Sequence, residues 1–236
     1  MHKVSVVIPT TPKELELAEK CAESIRRSTY KNVEILVINE GKERSEQRNI
    51  GIDRATGDYI MYLDSDQSVS PRLIEECVRL MKDGFSGVYI PEIITTPGWF
   101  GRLRNFERSF YDGTPIDCVR FIRKSVCPKF STELHGPEDS LHDRKVKGFK
   151  VVAENCLYHM DGIGVVGYFK KKAYYTKSMR EYAKLSPNDQ CLDFKYRCFT
   201  VFIENGKWKK IVKHPIAFIG IMLMVLIRGV IYVRGR

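Results

Sequence analysis

Two aspartates separated by one residue are the first feature of the sequence that could do chemistry. Asp64 and Asp66 directly follow residues 59–63 (YIMYL), an apolar run with the composition of a buried strand. Carboxylates at the end of such a strand can hold Mg²⁺ or Mn²⁺ against a diphosphate, because these ions need few protein ligands when substrate phosphates share them. The ordinary alternative for an Asp-x-Asp pattern is a solvated turn. The strand before the pair and the helix predicted after it, over residues 70–81, favour metal binding.

A second pair of acids, Glu138 and Asp139, follows a Gly-Pro turn at the start of a helix predicted over residues 139–147. Acids in the first turn of a helix often do no more than interact with the helix dipole. The functional alternative is that one carboxylate faces a crevice and takes the proton of an acceptor hydroxyl, which requires an ionised carboxylate within hydrogen-bond reach. The residue types alone leave both interpretations open.

A single histidine, His159, follows a strand predicted at about residues 150–154. Most lone histidines have a structural role and satisfied hydrogen bonds. A neutral imidazole beside two carboxylates would, however, suit Mn²⁺ better than Mg²⁺. We therefore keep His159 as a candidate metal ligand.

The elements that must position these residues alternate between strand and helix. Strands are predicted at residues 4–8, 33–38, 59–63 and 88–90, with helices between them. Fully buried strands separated by helices indicate an α/β fold with a doubly wound, mostly parallel sheet. Ligands of such sheets bind outside the carboxyl ends of the strands. The residues predicted to line that crevice are Pro9, Thr10, Asn39, Glu40, Asp64, Ser65 and Asp66.

Composition narrows the class of protein. The chain has 236 residues, 43% of them hydrophobic and 29% charged, which is globular and excludes a large multidomain assembly or a disordered chain. Lys and Arg exceed Asp and Glu by 39 to 29, and the net charge of +10 predicts an anionic partner.

Residues 99–111 mix aromatics with arginines, which could stack nucleic-acid bases, but a lid or cover helix is favoured because no RNA-binding signature accompanies them. The seven scattered cysteines contain no Cys-x-x-Cys pair, which favours a reducing, cytosol-facing location over disulfides or zinc.

The last part of the chain is a membrane candidate. Residues 215–233 carry a single charge, Arg228, and approach the roughly 20 apolar residues that span a bilayer. Basic residues lie on both sides of this stretch, and the preceding segment 168–184 combines tyrosines with lysines in the manner of a helix at a membrane interface. A buried core helix is the alternative. The sequence favours attachment and leaves open whether the stretch crosses the membrane or lies in its plane.

The order of motifs resembles a GT-A glycosyltransferase of family 2. The motifs are VSVVIPT, QRNIGIDRATGDYIMYLDSD, GPEDSLHDRKVKGFK and LYHMDG, and they cover about residues 3–162. The resemblance implies a Rossmann-like catalytic domain over residues 1–161. The composition of the rest of the chain predicts an amphipathic interfacial region over 162–205 and a membrane-anchoring helix over 206–236. The resemblance also implies an enzyme that binds a nucleotide sugar with the help of a divalent cation.

The resemblance assigns roles to individual residues. Asp139 would be the catalytic base, and Glu138 would orient the acceptor or the sugar. Asp66, with Asp64 and His159 as further candidates, would bind Mn²⁺ or Mg²⁺. The donor-binding residues would be Pro9, Thr10 and Glu40 around the nucleobase and ribose, Arg48 and Asn49 near the nucleotide, Asp64 and Ser65 at the ribose and diphosphate, and Lys177 and Arg180 at the leaving group.

The implied reaction is a single displacement with inversion at the anomeric carbon. The expected donor is GDP-mannose, and the expected acceptor is a lipid-linked or surface glycan, as in N-glycan assembly, at a membrane with the catalytic domain facing the cytoplasm. Within the family, the chain resembles a small, membrane-attached mannosyltransferase of the cellulose-synthase-like group. A processive member of that group would have QxxRW where residues 177–181 read KSMRE, so only Arg180 of that motif remains and processive polymer synthesis is not expected. The alternatives are a polyprenyl-phosphate sugar synthase, a basic nucleic-acid-binding protein and an inactive membrane scaffold; the favoured interpretation has no nucleic-acid partner.

Overall fold

The computed structural model describes residues 2–234. Its strands are β1 (Val4–Pro9), β2 (Val33–Ile38), β3 (Tyr59–Tyr62), β4 (Gln67–Val69), β5 (Gly87–Tyr89), β6 (Glu92–Ile94), β7 (Val119–Arg123), β8 (Lys150–Val152) and β9 (Leu157–His159). Its helices are α1 (Leu15–Arg26), α2 (Arg44–Arg54), α3 (Leu73–Lys82), α4 (Gly98–Arg108), α5 (Glu138–Lys145), α6 (Val165–Leu185), α7 (Val201–Ile203), α8 (Trp208–Lys213) and α9 (Pro215–Arg234).

The described chain forms two compact units. The first contains the residues up to Ile93 together with Cys118–Thr132 and Glu138–Met160, and the second contains Ile94–Asp117, Glu133–Pro137 and the residues from Asp161 onward. The division into three consecutive segments expected from the sequence stays a prediction.

The first unit is built around a six-stranded sheet with the order β2-β1-β3-β7-β5-β8. The β1 strand pairs in parallel with β2 and β3, β5 pairs in parallel with β8, and β7 runs antiparallel to both of its neighbours. Every residue of β1 and β3 is buried, which explains their uninterrupted apolar runs. The predicted α/β fold with a mostly parallel sheet is confirmed.

One detail of the strand prediction is wrong. The sequence of β2 (VEILVI) predicts a fully buried strand, but five of its six residues are not fully buried. The reason is topological, since β2 lies at the edge of the sheet and pairs only with β1.

A close approach between helix α2 and strand β1 fixes the position of the helix that carries Arg48. A Cβ atom added to Gly51 would lie 2.2 Å from Val7 Cγ1, so only glycine permits this packing distance. The helix therefore lies directly against the central parallel strands, with its amino-terminal half near their carboxyl ends.

The second unit is helical. Helix α9 packs against α4 and α6 around a core that contains Phe110, Phe202 and Ile221. The predicted cover segment at residues 99–111 is largely helix α4. Among the described residues, Pro215–Arg234 is the helix long and apolar enough to cross a membrane, by length and composition only.

Candidate active site

Arg48 joins the two acidic motifs of the first unit. Its Nη2 atom lies 2.9 Å from Asp64 Oδ1, and its Nη1 atom donates a hydrogen bond to Asp139 Oδ1 and lies 3.9 Å from Glu138 Oε1. The side chain is completely buried. The acids that close β3 and the acids that begin α5 therefore meet at one guanidinium group, as the sequence-based hypothesis of a single crevice requires.

Aromatic rings hold Arg48 in this position. Its guanidinium carbon lies 4.9 Å from the centroid of the Tyr62 ring and 4.9 Å from that of Phe130. Phe130 is itself fixed by Asn49, whose side chain accepts from the Phe130 amide and donates to its carbonyl. Contacts between a cation and aromatic faces strengthen where water is excluded.

A second polar chain starts at Asp66. His159 Nε2 lies 3.1 Å from Asp66 Oδ2, and His159 Nδ1 lies 2.6 Å from Glu92 Oε1. The antiparallel pairing of β4 with β9 places Gln67 opposite His159, which brings the end of the Asp-x-Asp motif beside the histidine. His159 therefore lies beside Asp66, and its role as a metal ligand stays a prediction.

Arg120 and Glu92 were missed by sequence reasoning. Arg120 Nη2 lies 3.3 Å from Glu92 Oε2, and the Arg120 guanidinium carbon lies 5.8 Å from the Tyr62 ring centroid. Arg120 belongs to β7 (VRFIR), where a charged residue inside an apolar strand was the available signal. Glu92 follows Pro91 and gave no comparable signal.

The surroundings of two carboxyl groups in the crevice, Asp64 and Glu138, shift their pKa values in opposite directions. Burial opposes ionisation of Asp64, but Arg44, Arg48 and Arg120 together hold its pKa well below the usual range. Burial, followed by the neighbouring Asp139, raises the pKa of Glu138 to about 7. Two carboxylates in one crevice thereby acquire different proton affinities, a pattern typical of acid–base sites.

Four buried side-chain nitrogen atoms in this region have no hydrogen-bond partner among the described protein atoms. They are Arg48 Nε, Gln67 Nε2, Arg120 Nη1 and His142 Nδ1. Gln67 uses its other side-chain atom, Oε1, to accept from the Asp64 amide at 2.9 Å. Buried donors are normally satisfied, so a cluster of them indicates a place where a ligand with acceptor oxygens can bind.

The fit of a divalent cation depends on Asp66 and His159. No group of three or more His, Cys, Asp or Glu residues with metal-site geometry occurs within residues 2–234. Mg²⁺ and Mn²⁺ sites shared with substrate phosphates do not require such a group. Although burial lowers it, hydrogen bonds to Asp66 and Glu92 raise the pKa of His159 to about 10, so His159 would bind a cation only after losing the proton on Nε2. With that proton lost, Glu92 would orient the imidazole, and the donor set would fit an open site with few protein ligands.

The remaining predicted donor-binding residues fall into two sets. In the first unit, Pro9 ends β1, Thr10 is buried with its carbonyl accepting from Gln47 Nε2 at 2.8 Å, and Glu40 is exposed and pairs with Arg54 at 2.6 Å. Ser65 is also buried and lies between the two aspartates. Lys177 and Arg180 lie on α6 in the second unit. Their roles stay predictions.

The raised pKa of Glu138 predicts a pH-dependent cost to stability. An unfolded Glu ionises near 4.5, whereas the folded value is about 7, so the native state binds more protons and its stability falls as the pH rises through this window. We expect Glu138→Gln to raise the melting temperature at pH 8, with a gain that shrinks as the pH is lowered to 5. Differential scanning fluorimetry across this range measures the effect. The exposed Glu154→Gln is the control, and an equal pH trend in both variants would contradict the assignment.

Comparison with solved structures identifies the fold. The fold is that of the GT-A glycosyltransferases: the mannosyltransferase PcManGT of Pyrobaculum calidifontis, in complex with GDP-Man and Mn²⁺, aligns with a TM-score of 0.59 at 14% identity, over 93% of this chain and 74% of that one. A fragment of S. aureus TarS in complex with UDP-GlcNAc aligns with a TM-score of 0.54 at 15% identity, over 90% and 73% of the two chains.

Sequence comparison finds similarity to family 2 glycosyltransferases. Residues 40–130 match the model described as glycosyl transferase family 2. The glycosyltransferase GlyA of Streptococcus pneumoniae is 31% identical over 73% of this chain. A Campylobacter jejuni enzyme named GalNAc(5)-diNAcBac-PP-undecaprenol beta-1,3-glucosyltransferase is 21% identical over 92% of this chain and 76% of its own length. The predicted GT-A fold is confirmed.

The chain is shorter than several of its relatives. It spans 28% of the length of GlyA and 33% of an uncharacterized glycosyltransferase of Rickettsia bellii.

Proposed function

We propose that the chain is an inverting, metal-dependent glycosyltransferase that moves a hexose from a nucleotide sugar to a hydroxyl group of a glycan. The observation that carries this proposal is the position of Arg48 between the Asp-x-Asp motif and the acid pair. A donor diphosphate at Asp64 and Asp66 and an acceptor hydroxyl at Asp139 would then face each other across one crevice.

In the proposed mechanism Asp139 takes the proton of the acceptor hydroxyl as that oxygen attacks the anomeric carbon. Arg48 holds the Asp139 carboxylate in place, and Arg120 supplies a second buried guanidinium with an unsatisfied donor. Asp66 and His159 would hold Mn²⁺ or Mg²⁺, which supplies electrostatic stabilisation to the departing nucleoside diphosphate. Glu138, with a pKa near 7, can donate a hydrogen bond to the sugar or the acceptor in its protonated form.

The proposed donor is GDP-mannose, with a UDP-sugar as the next candidate. Support comes from the two structural neighbours, whose complexes contain GDP-Man and UDP-GlcNAc. The proposed acceptor is a lipid-linked glycan, in line with the undecaprenol-linked compound in the name of the Campylobacter relative. A membrane location would follow from such an acceptor and from the apolar helix α9.

The proposed metal site can be tested through its effect on nucleotide-sugar binding. Asp66→Ala is expected to remove the Mn²⁺-dependent part of nucleotide-sugar binding, because it deletes a carboxylate that would bind the ion. A ligand at about 100 times its Kd stabilises a protein by about 2.7 kcal/mol, so thermal-shift measurements with and without Mn²⁺ can detect the loss. Asp83→Ala, at an exposed carboxylate of the same unit, is the control. Equal Mn²⁺-dependent shifts in wild type and Asp66→Ala would overturn the metal site.

A further inference from the structure

One face of helix α9 is apolar and exposed. The residues on this face recur at intervals of three and four, and each is at least 52% exposed. They are Ile216, Ile219, Leu223, Leu226, Val230 and Val233. Residues at this spacing form one continuous stripe along a helix. We call this set the α9 stripe.

The other side of α9 is fixed to the second unit. Ile221, Met224 and Val225 are buried against the helical core. Arg228 donates to Tyr168 Oη at 2.9 Å and to a carboxylate oxygen of Glu107. These contacts give α9 two unlike sides along its length, one packed on protein and one open.

The packing of α4 on α9 makes a simple membrane span unfavourable. A Cβ atom at Gly220 would lie 3.1 Å from Leu103, and Glu107 contacts Arg228, so α4 runs beside the middle of α9. A helix of 20 residues is about 30 Å long, which equals the thickness of the hydrocarbon core. If α9 crossed a bilayer, this part of α4 would lie near the centre of that bilayer.

The charges of α4 make that depth unfavourable. Arg104 pairs with Asp161 at 2.6 Å and Arg108 pairs with Asp117 at 2.8 Å, while Arg102 is exposed. A charged residue at the centre of a membrane helix costs about 2.5 to 3.5 kcal/mol even on insertion-based scales. An orientation with α9 in the plane of the surface avoids this cost, since only the α9 stripe then enters lipid.

Basic side chains lie near both ends of α9 and a tryptophan lies just before it, so a helix in the membrane plane would place them at the lipid headgroups. Helix α8, directly before α9, exposes Trp208 together with Lys209 and Lys213, and Arg234 ends α9. Tryptophan prefers the level of the lipid headgroups, and each basic residue near an anionic surface contributes about 1 kcal/mol of attraction. The composition matches an anionic lipid surface and differs from a dry interface between two protein copies.

We propose that α9 docks in the plane of an anionic membrane surface, with the α9 stripe inserted into the acyl boundary and the second unit lying on the same leaflet. The partner that contacts the α9 stripe is therefore lipid. This inference does not depend on the glycosyltransferase activity. It also decides between the two membrane geometries that the sequence leaves open.

Vesicle flotation of the full chain provides the first test. The double variant Ile219→Asp with Leu226→Asp is expected to lower binding to phosphatidylglycerol-containing vesicles at least tenfold. Phe149→Asp replaces an exposed aromatic of the first unit and is expected to bind like wild type. Unchanged binding of the double variant, or equal binding of wild type to neutral phosphatidylcholine vesicles, would overturn the proposal.

Depth-dependent quenching by brominated lipids provides the second test. The variants Ile216→Trp, Leu226→Trp and Val233→Trp, each made separately with Trp99→Phe and Trp208→Phe, should all report the same shallow depth. A maximum depth at position 226 with shallow ends would show a span and overturn the in-plane geometry. Light scattering that shows a dimer dissociated by the Asp substitutions, with vesicle binding unchanged, would assign the α9 stripe to a second copy. Retained nucleotide-sugar binding in the Asp variants would separate failure of docking from failure of the proposed function.

Discussion

Replacing Asp139 by Asn is expected to lower kcat for sugar transfer by about 10²- to 10⁴-fold, the range that general acid–base catalysis contributes. The amide oxygen can still accept the hydrogen bond from Arg48 Nη1, so the crevice keeps its geometry. What is lost is the ability to take the proton of the acceptor hydroxyl. Donor affinity, measured by calorimetry with Mn²⁺ present, is expected to change little.

Glu138 is the necessary comparison for this experiment. Its pKa of about 7 would also suit a general base, whereas Asp139 is paired directly with Arg48. The proposed roles predict that Glu138→Gln retains more activity than Asp139→Asn and that the exposed control Glu154→Gln retains all of it. A larger loss of kcat in Glu138→Gln than in Asp139→Asn would assign the role of base to Glu138 and not to Asp139.

Replacing Arg48 by Met is expected to lower the free energy of unfolding by about 3 to 5 kcal/mol. Removing one member of a buried ion pair leaves an uncompensated charge in the interior, and losses of this size result. Arg48 is fully buried and faces Asp64, Asp139 and Glu138, so its loss leaves several carboxylates without their common cation. Equilibrium urea unfolding measures the change.

Arg44 offers a matched control for Arg48. Its Nη1 atom lies 3.8 Å from Asp64 Oδ1, but its side chain is 42% exposed. Exposed pairs contribute about 0 to 1 kcal/mol, so Arg44→Met should change unfolding only slightly. The destabilisation by Arg48→Met should also diminish at low pH, because protonation of the carboxylates removes the unpaired charge. Similar effects of the two variants would contradict the burial argument.

The sequence predicted the parts of the fold that depend on local patterns. Strands β1 and β3 are fully buried apolar runs, and the acids after β3 mark the carboxyl edge of the sheet. The predicted helix at residues 139–147 is observed as α5, Glu138–Lys145. Such features are encoded by residues adjacent in the chain, which is why periodicity and turn signals detect them.

Tertiary contacts were harder to predict. The sequence placed Arg48 near the nucleotide, but its burial among three carboxylates depends on how α2, β3 and α5 pack. The pairing of Glu92 with both His159 and Arg120 joins strands distant in sequence. No local pattern specifies these contacts. The partial exposure of β2 likewise follows from strand order, which its own residues do not encode.

The shared guanidinium of Arg48 has a thermodynamic consequence for how substrates associate. If the proposed donor binds at Asp64 and the acceptor binds at Asp139, both interact with carboxylates that share one guanidinium group. We therefore expect binding at one half of the crevice to alter the affinity of the other half. Because linkage is reciprocal, the factor by which a donor alters acceptor affinity must equal the factor by which the acceptor alters donor affinity. We therefore expect the binding energies of donor and acceptor to be non-additive, with Arg48 as the residue that couples them.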